Sequence, residues 1–212
     1  SCARSLRCHV ACPVLSWNQV FQVADRIAAT GFSVAVPDVL RGSPWPKEKF
    51  PPKPEDNLME WIRGISDFGK VKTDLDAALE LLKEQTGATG RAGAIGFCWG
   101  AAMTIRCGAD PAYGAVGGAH PSFGLLPDKA EAACKAVQCP VILLPAKGDD
   151  VSAARAALQA GPFSDSCVHA AYDDQVHGFL TARGEWSDPK VAAAATEALA
   201  LIIKFLRTNL SA

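Results

Sequence analysis

Three short motifs along this chain hold the residue types that nucleophilic catalysis at a carbonyl requires. Gly96-Phe97-Cys98-Trp99-Gly100 has the pattern Gly-x-Cys-x-Gly. In that pattern a nucleophile sits in a sharp strand-to-helix turn, and small flanking residues relieve the crowding. Further on come Gly148-Asp149-Asp150 and then His177-Gly178-Phe179. A thiolate can attack a carbonyl, an imidazole can carry the proton, and a carboxylate can fix the imidazole's tautomer and support its charged form. The order nucleophile, acid, histidine is one that open α/β folds use. Both Asp149 and Asp150 stand at the right place for the acid.

Such residues work only if a scaffold brings them to one edge. Five short apolar runs read as buried parallel strands: 33–36, 92–95, 115–119, 141–146 and 168–172. They are continuous rather than alternating, as strands covered on both faces should be. Between them lie helical patterns at 18–30, 70–85 and 101–107, and a last one covers 189–209. The first and second end at Gly31 and Gly87, which are helix-stop signals. Strands alternating with helices predict an α/β fold with a mostly parallel, doubly wound sheet over residues 1–212 as one domain. All three motifs fall just after predicted strands, where function gathers in such sheets.

Composition removes other classes. Apolar residues make up 49% of the 212 residues and charged residues 20%, an ordinary globular balance. Lys plus Arg number 21 against 22 Asp plus Glu, so the charge of −1 leaves no broad basic footprint for nucleic acid or an anionic membrane. No apolar run is long enough to span a bilayer. The eight cysteines include no Cys-x-x-Cys pair; Cys134 with Cys139, and Cys167 with His169, are the nearest approach to metal-ligand spacing. No structural metal is therefore expected, and most of these thiols read as buried and reduced.

The motifs resemble those of the dienelactone hydrolase family. The elbow Gly96-Phe97-Cys98-Trp99-Gly100-Ala101, Val36-Pro37-Asp38 with Arg41-Gly42, and His177-Gly178-Phe179 all fit, as do Ala24-Asp25 and Ala28-Ala29-Thr30-Gly31-Phe32. Gly118-Ala119-His120-Pro121-Ser122 leans towards the eukaryotic-type branch. The resemblance implies a three-layer α/β/α hydrolase fold and a Cys-His-Asp triad that opens lactones or cleaves small esters without a cofactor. It also implies a cytoplasmic protein, a monomer or weak homodimer, whose partner is a small-molecule ester or lactone. Carried over by position, Cys98 is the nucleophile, His177 the base and then acid, and Asp149, rather than Asp150, its orienting partner. The backbone N–H of Trp99 is then one oxyanion donor, and Arg183 a substrate-binding residue.

One segment departs from the family's pattern. Residues 1–24 contain no Asp or Glu, although members carry an acid near the cysteine. The segment expected to supply the second oxyanion N–H falls at Ala11-Cys12-Pro13-Val14, where Pro13 has no N–H to give. Residues 5–10 make a poor strand, so the N-terminal part of the sheet is expected to be missing or altered. An alternative reading follows: a catalytically impaired hydrolase scaffold with a binding or regulatory role.

Overall fold

The computed structural model of the chain describes residues 6–11, 17–49, 52–125 and 130–210. Its sheet has six strands, all parallel: β1 (Leu6–Ala11), β2 (Phe32–Ala35), β3 (Ala92–Phe97), β4 (Tyr113–Ala119), β5 (Val141–Leu144) and β6 (Val168–His169). Their order is β2-β1-β3-β4-β5-β6. β3, β4 and β5 are buried along their whole length, which is why they read as unbroken apolar runs. β6 is shorter than its apolar run; beyond it only an isolated bridge joins Ala146 to Tyr172.

The unpromising stretch at the start of the chain does form a strand. β1 lies inside the sheet, pairing with β2 from Leu6 to His9 and with β3 from Cys8 to Ala11. Two flanking strands satisfy its backbone on both sides, and that pairing outweighs weak strand propensity. Its last residue, Ala11, stands opposite Gly96, two positions before Cys98.

Among the described residues seven helices cover the two faces: α1 (Trp17–Ala28), α2 (Leu58–Ile65), α3 (Phe68–Thr86), α4 (Trp99–Cys107), α5 (Ala130–Lys135), α6 (Ser152–Gln159) and α7 (Pro189–Leu210). One apolar core joins Val23 and Ile27 of α1 and Leu199, Ile202 and Phe205 of α7 to Ile95, Phe97 and Leu144 of the sheet. The other joins Leu75 and Leu79 of α3, Met103 and Ile105 of α4, and Leu158 of α6 to Ala94, Val116 and Leu143. Alternate residues of β3 and β5 thus feed opposite cores, giving three α/β/α layers. α3 starts where Asp67 accepts the Lys70 N–H and stops at Gly87, which takes a left-handed conformation. Among the described residues no helix is long and apolar enough to cross a membrane.

Candidate active site

The loops after β3, β4 and β5 and the turn after Tyr172 meet at the carboxyl edge of the sheet. β3 ends at Phe97, and Cys98 makes the whole turn into α4 with φ 56° and ψ −126°. Non-glycine residues rarely take such angles, which cost on the order of 1–3 kcal/mol and persist only where the surroundings enforce them. Here four hydrogen bonds do so. The Cys98 N–H donates to the Ala119 carbonyl (3.2 Å) and to Nδ1 of His120 (3.1 Å), and its carbonyl accepts from the N–H groups of Ala101 (3.2 Å) and Ser122 (3.1 Å). Gly96 permits the turn because a Cβ there would overlap the Gly100 carbonyl on the first turn of α4.

Three of the expected residues come together in a line. Nε2 of His177 lies 3.1 Å from Sγ of Cys98, and Nδ1 lies 2.7 Å from Oδ1 of Asp149. Asp149, with only 9% of its side chain exposed, is held by the Ala146 N–H, which donates to Oδ2 at 2.8 Å. Asp150 is exposed and points elsewhere, accepting from the N–H and hydroxyl of Ser152 at the start of α6. The geometry thus separates the two aspartates that the residue order left open.

The electrostatics follow from these contacts. Burial pushes the Cys98 thiol up, but the hydrogen bond and charge of His177, with help from the Ser122 hydroxyl and the Trp99 backbone N–H, bring it below its ordinary value. Burial pulls His177 down, while its bonds to Asp149 and Cys98 raise it to about 10. The two shifts run in opposite directions, and both favour a charged sulfur beside a charged imidazole.

Trp99 buries its indole completely and donates from Nε1 to the Ser66 hydroxyl (2.6 Å), which itself donates to the Ile62 carbonyl (2.6 Å). Only its backbone N–H faces the sulfur. Arg183 is exposed, with its stem against Gly178, and among the described residues it has no hydrogen bond or ion pair with Cys98, His177 or Asp149. The structure does not bring it into the line. Most of the segment Ala11-Cys12-Pro13-Val14 lies outside the described residues. Among the described residues no group of three or more His, Cys, Asp or Glu could hold a metal ion.

Two neighbours of the sulfur were visible in the sequence only as part of a family-like motif. His120, fully buried, takes φ 40° at the end of β4 and accepts the Cys98 N–H. Burial and the charge of His177 hold its pKa well below the usual value, so it stays neutral and Nδ1 stays an acceptor. Ser122 places its Oγ 3.3 Å from Sγ of Cys98 and 3.4 Å from Nε2 of His177. The signal that could have found them is their position: the first residues beyond the carboxyl end of the strand beside the elbow.

A parallel sheet under a strained cysteine elbow, with a histidine and an aspartate arriving from later loops, is the architecture of the α/β-hydrolases. Solved structures agree on that fold. A Klebsiella pneumoniae protein provisionally described as a dienelactone hydrolase superposes with a TM-score of 0.67 at 16% identity, covering 94% of this chain and 88% of its own. An esterase of Pyrococcus furiosus gives a TM-score of 0.62 at 12% identity, covering 96% of this chain and 83% of that one. The chain belongs to the dienelactone hydrolase family, whose model matches residues 15–210. An uncharacterised AIM2-family protein of Schizosaccharomyces pombe is 31% identical over 82% of this chain and 70% of its own length. A carboxymethylenebutenolidase homologue of Rattus norvegicus is 35% identical over 37% of this chain and 30% of its own.

Proposed function

We propose that this hydrolase-family protein cleaves small carboxylic esters or lactones through an acyl-cysteine intermediate. The observation that carries the reading is the line Asp149–His177–Cys98, 2.7 Å and 3.1 Å between its members, ending on a cysteine whose pKa the site lowers. The Cys98 thiolate attacks the carbonyl carbon. The Trp99 N–H and the N-terminal turn of α4 stabilise the oxyanion. His177 then gives its Nε2 proton to the departing alkoxide as the tetrahedral adduct collapses to a thioester. In the second half, neutral His177 takes a proton from water as the water oxygen attacks, the acid is released, and Cys98 leaves as thiolate beside the reprotonated His177. Asp149 keeps Nε2 directed at the sulfur throughout. The carboxymethylenebutenolidase homologue among the relatives supports a lactone as the substrate type.

The test is a comparison of the protein with its Cys98→Ala variant on an activated aryl ester and a dienelactone, each followed by intact-mass measurement. Product release with a transient acyl adduct, both lost in the variant, is the expected result. Turnover that survives in Cys98→Ala overturns the reading.

A further inference from the structure

We propose that Ser122 holds the water that hydrolyses the acyl-cysteine. This inference rests on the reading just given.

Three reactive atoms form a nearly equilateral triangle: Sγ of Cys98, Nε2 of His177 and Oγ of Ser122, with sides of 3.1, 3.3 and 3.4 Å. Ser122 is not there by the accident of a loose loop. Its N–H donates to the Cys98 carbonyl at 3.1 Å, while two residues earlier His120 accepts the Cys98 N–H at 3.1 Å. The backbone of His120 is fixed in turn by its N–H, which donates to the Leu144 carbonyl at 2.7 Å. His120, Pro121 and Ser122 are thereby clamped to the nucleophile from both sides, and the half-buried Ser122 hydroxyl keeps a fixed place beside it.

In the free protein the hydroxyl has an acceptor in the Cys98 sulfur, 3.3 Å away and a good one once the thiol is ionised. Acylation removes that acceptor, because a thioester sulfur carries no charge and accepts weakly. At the same stage His177 has lost a proton, so Nε2 is an acceptor whose nearest donor is the Ser122 hydroxyl at 3.4 Å, a long contact. A hydroxyl offers one donor and two acceptor sites. A water seated between Oγ of Ser122 and Nε2 of His177 completes both groups, and its oxygen then lies beside the position that Sγ holds and hence beside the thioester carbonyl. In the step itself the water O–H proton passes to Nε2 as the new C–O bond forms. The C–S bond then breaks with Cys98 leaving as thiolate, and the proton stays on His177, which restores the species from which the attack began. No oxidant or further reactant is needed.

The geometry of acylation does not call on this water, so the two half-reactions should separate. In Ser122→Ala, a stopped-flow burst with an activated aryl ester should stay within about threefold of the unmodified protein. The acyl adduct followed by intact mass should persist about tenfold longer or more, a modest part of what general-base assistance contributes. Ser122→Thr, which keeps the hydroxyl, should restore the adduct's lifetime. Hydroxylamine, a strong nucleophile that does not depend on a positioned water, should clear the adduct from Ser122→Ala and from the unmodified protein at equal rates. Equal adduct lifetimes in water overturn the proposal, as do burst and decay slowed by the same factor, or an acyl group mapped to Ser122. The absence of any adduct in the unmodified protein would instead overturn the acyl-cysteine reading itself.

Discussion

Asp149 divides its carboxylate between its own loop and His177: Oδ2 accepts the Ala146 N–H at 2.8 Å, and Oδ1 stands 2.7 Å from Nδ1 of the imidazole. The first bond fixes the second, so the imidazole can turn only with the loop that follows β5. Asp149→Asn would keep the shape but remove the charge that holds the tautomer, and turnover should fall by about 10⁴-fold. Asp150 accepts only from Ser152. Asp150→Asn should leave turnover within about twofold and only slightly weaken the start of α6. Steady-state rates on an aryl ester decide between them. Equal losses in the two variants would show that the acid has been misassigned.

The opposed shifts of Cys98 and His177 set a pH window for both reactivity and stability. His177 is raised from its usual 6.5 to about 10, so the stability contributed by its charge is complete below 6.5 and lost as the pH climbs through about 10. Cys98 is lowered from 9.0, so the contribution of its thiolate is complete above 9.0 and lost as the pH falls through the lowered value. The two groups titrate as a pair. Alkylation of Cys98 by iodoacetamide should accordingly reach half its maximum below pH 9.0. In His177→Ala that midpoint should move up, since burial remains while the main opposing influence is gone. An unmoved midpoint would mean that His177 does not govern the thiol.

Gly118 shows how closely the sheet is built beneath the elbow. It has φ 155°, and a Cβ on it would overlap the backbone carbonyl of Gly96 on the neighbouring strand. Both residues stand in the paired ladder, one position before the end of each strand, so neither can yield without disturbing the pairing. Gly118→Ala should lower the melting temperature by several degrees or prevent folding, because overpacking costs typically 1–3 kcal/mol and here the obstacle is backbone. Gly124→Ala, where nothing lies within 4 Å of the added carbon, is the matched control and should be near neutral. Thermal melts of the two variants make the comparison.

The order and edge position of Cys98, Asp149 and His177 were legible because each follows a run apolar enough to be a buried strand. β1 was less so. Leu6–Ala11 gains its place from pairing with β2 and β3, which local composition does not report. α2, α5 and α6 were not legible either; they are six to eight residues long, too short for a periodic pattern to emerge. Ser122 and His120 lay in a recognised motif, yet their relation to the sulfur depends on a left-handed turn at His120, φ 40°, that no spacing rule announces. Arg183 lies exposed against Gly178, the residue after His177, a placement set by a turn that no spacing rule announces.

Ser66 offers a test of how firmly the residue after the nucleophile must be held. Its hydroxyl accepts the Trp99 indole N–H at 2.6 Å and passes its own proton to the Ile62 carbonyl at 2.6 Å, tying α4 to α2. Trp99 is completely buried, so Ser66→Ala would strand an indole N–H away from water. An unsatisfied buried donor costs about 1–3 kcal/mol. If the chain of bonds also sets the Trp99 backbone N–H towards Cys98, turnover should fall together with stability. Trp99→Phe removes the donor altogether, and the double variant should then be less destabilised than the two single losses added together. A double variant whose stability loss equals that sum would show that the Trp99–Ser66 bond contributes nothing, and the link from α2 to the elbow would have to be sought in packing alone.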